Sequence, residues 1–465
     1  MVFSSITFLY YFLPLTILLY FLLPEKFRNG LLLIMSLFFY FYGEPRYIFV
    51  LILSCIINYY FGKFLEKKSG TQRKYLLILN LLLNFSVLFY FKYFNFFLDN
   101  VNAILGTNFS WVSIIMPIGI SFFTFQASSY IIDIYRGDVK SAKNIFQFAT
   151  YLSLFPQLIA GPIVRYQTIE EEIKSRKINY QEFYQGIKRF IIGLSKKVLF
   201  ANVLGELSKS MMSLSSSTFL SSLLEVIANS FQIYYDFSSY SDMAIGLGLM
   251  FGFHFLENFN YPFISKSISE FWRRWHISLS TWFKDYVYTP LGGSKVKPLR
   301  RYINIFIVWM VTGLWHGASW NFVLWGLYFA IFLMIEKSFL LKYLEKNKFV
   351  AHLYTIIFIL ISFIFFFETN LNELIMMLKN VFGLNSLPFS NIETIYYLKN
   401  YLGVLLLSLI GLTPWVKVVQ KKVNQLPKIK KWINILEPIF YFGLLLVTTG
   451  YIVDESFNPF LYFRF

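Results

Sequence analysis

Residues 5–24 read SITFLYYFLPLTILLYFLLP, a run of 20 residues that contains no charged side chain. A helix of this length rises ~30 Å, which matches the thickness of the hydrocarbon core of a bilayer. The run lacks the basic start and the small-residue cleavage site of a secretory signal, so we expect it to remain as the first membrane helix. The beginning of the chain therefore indicates an integral membrane protein.

Similar apolar runs recur along nearly the whole chain of 465 residues. Hydrophobic residues make up 57% of the sequence, aromatic residues 21% and charged residues only 14%, which is far more apolar than a soluble domain of this size. Hydropathy predicts roughly ten to thirteen transmembrane helices. No long linker or internal repeat divides them. We therefore predict an all-α, polytopic integral membrane protein with a single domain over residues 1–465.

The basic residues outnumber the acidic ones by 42 to 25, which gives a net charge of +17. In a soluble chain this excess would suggest nucleic-acid binding. Here the lysines and arginines cluster in short loops between apolar runs, as the positive-inside rule describes for cytoplasmic loops. The loops at residues 62–74 and 417–431 should therefore face the cytoplasm. The C-terminus, one span later, should face outside, and no nucleic-acid partner is expected.

Three segments depart from the pattern of simple apolar helices. Residues 165–189 carry mixed charge and favour an amphipathic or loop element at the cytoplasmic surface. Residues 258–301 are basic and rich in tryptophan, with prolines and glycines among them. Residues 302–336 would form a helix of ~50 Å if straight, which is too long for one ordinary crossing. We expect a kinked or re-entrant element there, buried by the rest of the protein.

A histidine interrupts the third of these segments, in the stretch TGLWHGASWNFVLWG at residues 312–326. An imidazole at membrane depth is costly to bury without a partner or a function. It could serve structurally by hydrogen bonding to a neighbouring helix. Gly313 and Gly317 flank His316 and would let another backbone or a substrate come close to it. This context favours a functional site.

Five stretches of the sequence carry a resemblance to a known family. They read MPIGISFFTFQASSYIIDIYRGD (residues 116–138), LSLFPQLIAGPIVRY (152–166), QIYYDFSSYSDMAIGLGLMFGFHFLENFNYPF (232–263), SISEFWRRWHISLSTWFKDYVYTPLGGS (267–294) and VTGLWHGASWNFVLWG (311–326). In this order and at this length they resemble the membrane-bound O-acyltransferases, and within them the bacterial alginate and peptidoglycan O-acetyltransferases. The family-like core spans about residues 110–335. The resemblance implies acyl transfer from a cytoplasmic thioester to a hydroxyl outside, through a central funnel whose two ends nearly meet at a histidine.

The resemblance assigns the family's invariant histidine to His316 and the histidine of its RWH element to His276. Histidine suits the reaction because a thioester is already a good acyl donor, so the main need is a base that deprotonates the attacking hydroxyl. We expect His316 to be this base, while a resting place for the acyl group on histidine stays open. His276 either orients the thioester or tunes His316, or else is a loop histidine. His254 and His352 lack a comparable context and are expected to be structural.

The segment from Phe271 to Arg301 would form the acyl-donor side. Its basic residues suit the phosphates of acetyl-coenzyme A or an acidic carrier protein, although cytoplasmic loops are basic in any case and also contact anionic lipid. Its tryptophans either anchor the segment at the membrane interface or stack on a nucleotide. The candidate donor-binding residues are Arg273, Arg274, Lys284 and Trp275. The chemistry needs no metal ion, and two histidines without a fitting carboxylate cluster do not predict one.

Acidic residues also lie where a bilayer would make them costly. Asp236 and Asp242 fall within the stretch YYDFSSYSDMA at residues 234–244. Such groups usually face a water-filled cavity or pair with a basic residue. Asp236 is therefore expected either to line the reaction chamber or to pair with an arginine such as Arg136 or Arg165.

The chain ends in DESFNPFLYFRF, residues 454–465, a tail that the charge pattern places outside. In the related D-alanine transfer systems, a similar aromatic C-terminal motif on a separate small membrane protein is thought to bear the acyl group on tyrosine. The resemblance implies the same role for Tyr462 in a motif fused to the enzyme. Otherwise the tail is an interfacial aromatic belt that anchors the last helix.

The resemblance and the charge pattern together predict an O-acetyltransferase of the cytoplasmic membrane of a bacterium. It would take acetyl from acetyl-coenzyme A, or another acyl thioester, for peptidoglycan or an exopolysaccharide outside, with an extracytoplasmic acetyltransferase as partner. A D-alanyl transferase of the teichoic acid type is one alternative. A proton-coupled transporter or flippase is another, although such proteins often contain two similarly broken halves and no duplication is evident.

Overall fold

The computed structural model describes residues 1–454, which form helices joined by loops, and no β-strand occurs within this range. The all-α prediction is confirmed. The prediction for Tyr462 falls on the last residues of the chain and lies outside the described range.

The helices before the large basic segment are α1 (Leu13–Leu22), α2 (Glu25–Gly43), α3 (Ile48–Lys67), α4 (Gly70–Leu88), α5 (Phe94–Leu105), α6 (Ile120–Arg136), α7 (Ile145–Ser153), α8 (Phe155–Leu158), α9 (Tyr166–Lys174), α10 (Tyr180–Ser195), α11 (Val203–Met212) and α12 (Phe219–Met250). The later helices are α13 (Ile268–Arg274), α14 (Ile277–Phe283), α15 (Pro298–His316), α16 (Trp320–Ile335), α17 (Leu341–Leu344), α18 (Lys348–Phe367), α19 (Leu371–Val381), α20 (Ile392–Gly411), α21 (Trp415–Val423) and α22 (Pro427–Asp454). Short π-helical turns extend several of them, at Thr7–Phe12, Phe89–Tyr93, Lys196–Asn202, Lys284–Tyr288 and Glu336–Leu340.

Six helical segments of the described residues are long and apolar enough to cross a membrane. They are Ile48–Lys67, Gly70–Leu105, Trp320–Leu344, Lys348–Phe367, Ile392–Gly411 and Ile429–Asp454. The opening apolar run forms a shorter helix, Thr7–Leu22. The protein is therefore a multi-pass membrane protein, as predicted. The larger total of roughly ten to thirteen spans stays a prediction. A search for apolar helices does not select long helices such as α12, because they contain many polar residues.

The described chain forms two compact units. The first comprises Met1–Phe190 and Ser241–Leu256, and the second comprises Ile191–Tyr240 and residues 257–454. Helix α12 belongs to the second unit up to Tyr240 and to the first unit from Ser241 onward. Both His276 and His316 lie in the second unit. The single domain and its central funnel stay predictions.

In the first unit, a buried cluster of three asparagines joins α3 to α4. The Asn58 amide nitrogen donates to Asn84 Oδ1 (3.0 Å), and the amide nitrogens of Asn80 and Asn84 donate to Asn58 Oδ1 (3.0 and 2.8 Å). Buried amides are costly unless they are hydrogen-bonded, so the cluster favours one register of the two helices over all others.

In the second unit, the long segment that the sequence predicted to be kinked breaks directly after His316. Gly317 has an extended backbone and ends α15, and α16 begins at Trp320. The two helices then pack against each other in opposite directions. A Cβ atom added at Gly313 would lie 3.1 Å from the Gly326 Cα, and one added at Gly326 would lie 2.5 Å from the Trp309 carbonyl oxygen. The two glycines therefore allow α15 and α16 to cross at close range. This crossing holds the turn that carries His316.

Candidate active site

His316 is the last residue of α15, and its imidazole is only 1% exposed. Three aromatic rings surround it. The ring centroids of Trp325, Trp315 and Phe366 lie 4.9, 5.0 and 5.3 Å from the imidazole centroid, each near edge-to-face. The imidazole is thus enclosed by the end of α15, by α16 and by the last turn of α18. These surroundings are apolar and exclude bulk water.

Asn321 fixes the position of α18 at this site. Its side-chain amide nitrogen donates to the Phe365 carbonyl oxygen (3.0 Å), which ties the first turn of α16 to the last turn of α18. The Ser319 hydroxyl donates to Asn321 Oδ1 and orients the amide. The neighbouring Phe366 is thereby held against His316. Asn321 was not predicted from the sequence, although a single amide inside an apolar helix, five residues after His316, was a visible signal.

His276 directly precedes α14 and is fully buried. Its backbone has φ = 44°, a left-handed conformation that costs a non-glycine residue about 1 kcal/mol. Asn258 Oδ1 holds the side chain, because it accepts the Ser278 backbone N–H (3.1 Å) and lies 3.2 Å from His276 Nδ1. Because it accepts a backbone N–H, this atom is the amide oxygen, which has no hydrogen to donate, so Nδ1 carries the proton and Nε2 the lone pair. Asn258 is a second positioning residue that the sequence did not reveal.

His276 is neutral at physiological pH. Burial lowers the pKa of its imidazole well below the usual value of 6.5, and the nearby His316 lowers this pKa further. The residue lies in the segment between α12 and α15, which contains none of the six apolar spans. A neutral imidazole with a fixed tautomer can accept a hydrogen bond at Nε2, and it adds no positive charge beside His316.

The structure brings His276 and His316 to one place, although 40 residues separate them in the sequence. The Trp315 ring contacts both, at 5.9 Å from the His276 imidazole and 5.0 Å from the His316 imidazole. The ring of Phe237 in α12 also contacts His276, with the two ring centroids 4.6 Å apart. The two histidines therefore belong to one aromatic-walled site in the second unit.

Asp236, next to Phe237, forms a buried ion pair. Its Oδ1 lies 2.6 Å from the Lys197 ammonium, and the two side chains are 1% and 2% exposed. The two predicted alternatives were a place in the reaction chamber and a pair with an arginine such as Arg136 or Arg165; the structure shows an ion pair, and the basic partner shown is a lysine, Lys197. Asp242, in the first unit, pairs in the same way with Arg189 at 2.9 Å. Nothing in the order of residues singles out Lys197 among the many lysines.

The predicted acyl-donor residues have different surroundings. Arg273 and Lys284 are exposed, while Arg274 is half-buried and bonds Glu270 (2.9 Å). Trp275 is 3% exposed, and its indole packs 5.4 Å from both the Phe271 and the Phe363 rings. The other tryptophans of this segment, Trp272 and Trp282, are also buried, so all three belong to the core of the second unit rather than to an exposed interface.

Glu336 holds the first turn of α13, the helix that carries Arg273 and Arg274. Its buried carboxylate accepts the backbone N–H groups of Ile268 (2.6 Å) and Ser269 (2.9 Å) and the Ser269 hydroxyl (2.7 Å). A carboxylate at a helix N-terminus is stabilised by the free N–H groups there. The sequence did not reveal this role, because Glu336 and α13 are nearly 70 residues apart.

The remaining histidines have structural partners. His254 Nδ1 lies 2.7 Å from a Glu172 carboxylate oxygen in the first unit, which raises the pKa of this half-exposed imidazole. His352 Nδ1 donates to the Ser265 carbonyl oxygen (3.1 Å) in the second unit. Within residues 1–454, no group of three or more His, Cys, Asp and Glu side chains is placed to hold a metal ion.

Comparison with known proteins connects this site to a family. The profile of the membrane-bound O-acyltransferase family matches residues 137–378, which include His276 and His316. A probable alginate O-acetylase of Azotobacter vinelandii is 38% identical over 417 residues, covering 88% of this chain and 83% of that protein. The chain belongs to the membrane-bound O-acyltransferase family. It is an acyltransferase, and the resemblance seen in the sequence is confirmed.

Other members of the family with named activities are also similar to the chain. A peptidoglycan O-acetyltransferase of Helicobacter pylori is 34% identical over 431 residues, covering 84% of this chain and 82% of that protein. A teichoic acid D-alanyltransferase of Bacillus subtilis is 32% identical over 247 residues, covering 51% of this chain and 62% of that protein. The similarity to the two O-acetyl-transferring relatives therefore extends over most of the chain, and the similarity to the D-alanyl-transferring one over half.

Proposed function

We propose that the protein is an O-acetyltransferase of the bacterial cytoplasmic membrane. It takes acetyl from a cytoplasmic thioester, acetyl-coenzyme A in the first instance, for O-acetylation of a polysaccharide outside. The named activities of the alginate and peptidoglycan relatives support acetyl as the group and a polysaccharide as the final acceptor. The shorter similarity to the D-alanyltransferase makes D-alanyl transfer the weaker candidate.

The observation that carries the proposal is the enclosure of His316. His316 removes the proton of the attacking hydroxyl, whose oxygen bonds to the thioester carbonyl carbon. The carbon–sulfur bond breaks, and the proton passes to the leaving thiolate. The aromatic rings of Trp315, Trp325 and Phe366 exclude water, which would otherwise hydrolyse the thioester.

His276 acts beside this base. Because its imidazole is neutral, it does not depress the basicity of His316 as a second imidazolium would. Its lone pair at Nε2 can accept a hydrogen bond and thereby orient a reacting group. Asn258 holds the ring and the tautomer that this role requires.

The acyl-donor side is assigned to the segment that carries Arg273, Arg274, Lys284 and Trp275. The exposed Arg273 and Lys284 are available to the phosphates of acetyl-coenzyme A. The buried Trp275 connects the same segment to the aromatic core around α18. The site therefore receives its acyl donor from the basic, cytoplasmic side.

The acceptor side of the site faces the outside, opposite the cytoplasmic donor side. Helix α18 begins at Lys348, just after Lys337, Lys342 and Lys346, so its first residue faces the cytoplasm by the positive-inside rule and its last turn faces outside. By the same rule, the C-terminal tail that follows α22 lies outside. Tyr462 of this tail receives the acetyl group and passes it to an extracytoplasmic acetyltransferase that modifies the polysaccharide. An aryl ester is activated enough for this second transfer.

The decisive experiment replaces the proposed base. His316→Gln should express and purify like the wild type yet lose acetyl transfer from acetyl-coenzyme A by ~100-fold or more, the usual effect of removing a general base. His254→Gln is the matched control, because that imidazole lies on the surface of the first unit. Ordinary activity in His316→Gln would refute the assignment.

A further inference from the structure

The short helix α21 connects two membrane spans of the second unit. Three residues separate it from the span Ile392–Gly411, and three more separate its end at Val423 from the start of α22 at Pro427. Three extended residues cover only about 10 Å. Both ends of α21 are therefore held close to the membrane surface.

Helix α21 leaves its apolar side chains open. None of its nine residues is buried. Trp415 is 69% exposed, and Val416, Val418 and Val419 are 62%, 50% and 46% exposed. A helix side of this kind is costly to leave in water, so it requires an apolar cover that the described residues do not supply.

The residues of α21 fall on two sides of the helix. At 3.6 residues per turn, the apolar ones share an arc of about 160°, and they are Trp415, Val416, Val418, Val419 and Val423. Lys417 and Lys421 lie on the opposite side. Lys422 lies among the apolar residues, where its methylene groups can stay in hydrocarbon while the ammonium group reaches the head groups. This pattern is typical of a helix that lies in the plane of a membrane surface.

The surrounding loop has a strong positive charge without a counter-charge. Residues 412–436 contain no acidic residue and six lysines, which are Lys417, Lys421, Lys422, Lys428, Lys430 and Lys431. Lys417 contacts the ring of Tyr261, with its ammonium 5.2 Å from the ring centroid. Lys421, Lys422, Lys430 and Lys431 are exposed, and they form no ion pair within residues 1–454. These four ammonium groups are available to an anionic partner.

A bilayer surface that contains anionic phospholipid matches both features of α21. Its acyl chains can cover the apolar side, and its phosphates can neutralise the lysines. A soluble acidic protein or a nucleic acid would match the charge but would not supply the hydrocarbon. The short connections to the two neighbouring spans also place the helix at the bilayer rather than away from it.

We propose that α21 is an interfacial helix that binds anionic phospholipids at the membrane surface, on the side that the positive-inside rule assigns to the cytoplasm. Its apolar side enters the boundary between head groups and acyl chains. Lys421, Lys422, Lys430 and Lys431 contact the lipid phosphates. This binding fixes the connection between α20 and α22, and it does not depend on the chemistry proposed for His316.

The depth of α21 is tested with a fluorescent label on a single cysteine in a Cys55→Ala background. Val419→Cys lies on the apolar side and Lys421→Cys on the polar side, so the two form a matched pair. In nanodiscs, lipids brominated in their acyl chains should quench the label at position 419 and aqueous iodide should not, with the reverse order at position 421.

Two results of this experiment would overturn the proposal. Equal quenching by iodide at the two positions would show that α21 lies in water. Protection of position 419 from iodide without quenching by brominated lipid would mean that protein covers the apolar side.

The role of lipid charge is tested by thermal unfolding in nanodiscs. The wild type should unfold several degrees higher in phosphatidylglycerol than in phosphatidylcholine. This difference should be mostly lost when glutamine replaces Lys421, Lys422, Lys430 and Lys431, and it should be kept when arginine replaces the same four residues. Lys417 and Lys428 stay in both variants, so the loop keeps positive charge that orients it. No difference in the wild type, or a difference that survives the glutamine variant, would contradict binding of anionic lipid.

Discussion

Gly313 and Gly326 face each other where α15 and α16 cross. A Cβ atom at Gly313 would lie 3.1 Å from the Gly326 Cα and would also collide with the Phe322 carbonyl oxygen. These obstacles are backbone atoms, which cannot turn aside as a side chain can. The crossing therefore leaves no room for a side chain at either glycine, and it holds His316, three residues beyond Gly313.

Gly313→Ala should separate the two helices. We expect a loss of about 1–3 kcal/mol of stability, the usual cost of overpacking, together with a loss of acetyl transfer because His316 moves. Thermal unfolding of the purified protein measures the first effect. Gly403→Ala is the control, since a Cβ atom there meets nothing within 4 Å. Equal stability of the two variants would contradict the close crossing.

The ion pair of Lys197 and Asp236 gives a second prediction. Lys197→Met removes the ammonium 2.6 Å from a buried carboxylate and should cost about 3–5 kcal/mol. The double variant Lys197→Met, Asp236→Leu removes both charges and should recover most of this loss. Thermal unfolding of the wild type, the single variant and the double variant tests this order of stability. A double variant less stable than Lys197→Met would mean that Asp236 is needed for reasons other than this pair.

The buried His276 should make stability depend on pH. Its folded-state pKa lies well below 6.5, so as the pH falls through 6.5 the unfolded chain takes up a proton that the folded protein refuses. This group should therefore remove up to ~1.4 kcal/mol of stability per pH unit below 6.5. The decrease in unfolding temperature between pH 6.5 and 5.5 should be smaller in His276→Gln than in the wild type. Identical decreases would show that His276 is protonated in both states or in neither.

Tyr462→Phe tests the acetyl carrier. The change keeps the aromatic ring and any anchoring role but removes the hydroxyl, so polysaccharide acetylation in cells should be lost. Mass spectrometry should find acetyl on the C-terminal peptide of the wild type. Tyr451→Phe in α22 serves as the control. Acetylation at the wild-type level in Tyr462→Phe would reduce the tail to an anchor of the last helix.

The sequence alone determined the class of fold and the family. Apolar runs of membrane length require helices, because a helix satisfies every backbone polar group inside a bilayer. The long stretches around His276 and His316 identified the family, and residues 302–336 were too long for a single crossing. These features are local, since they depend on which residues follow one another and not on what packs against them.

The tertiary structure decided how the site is held. Lys197 is one of many lysines, and only packing brings its ammonium to Asp236. Asn258 and Asn321 are ordinary asparagines until their hydrogen bonds to Ser278 and the Phe365 carbonyl are known. Partners far apart in sequence leave no periodic or compositional trace, because side-chain hydrogen bonds and ion pairs depend on distances that only the folded chain defines.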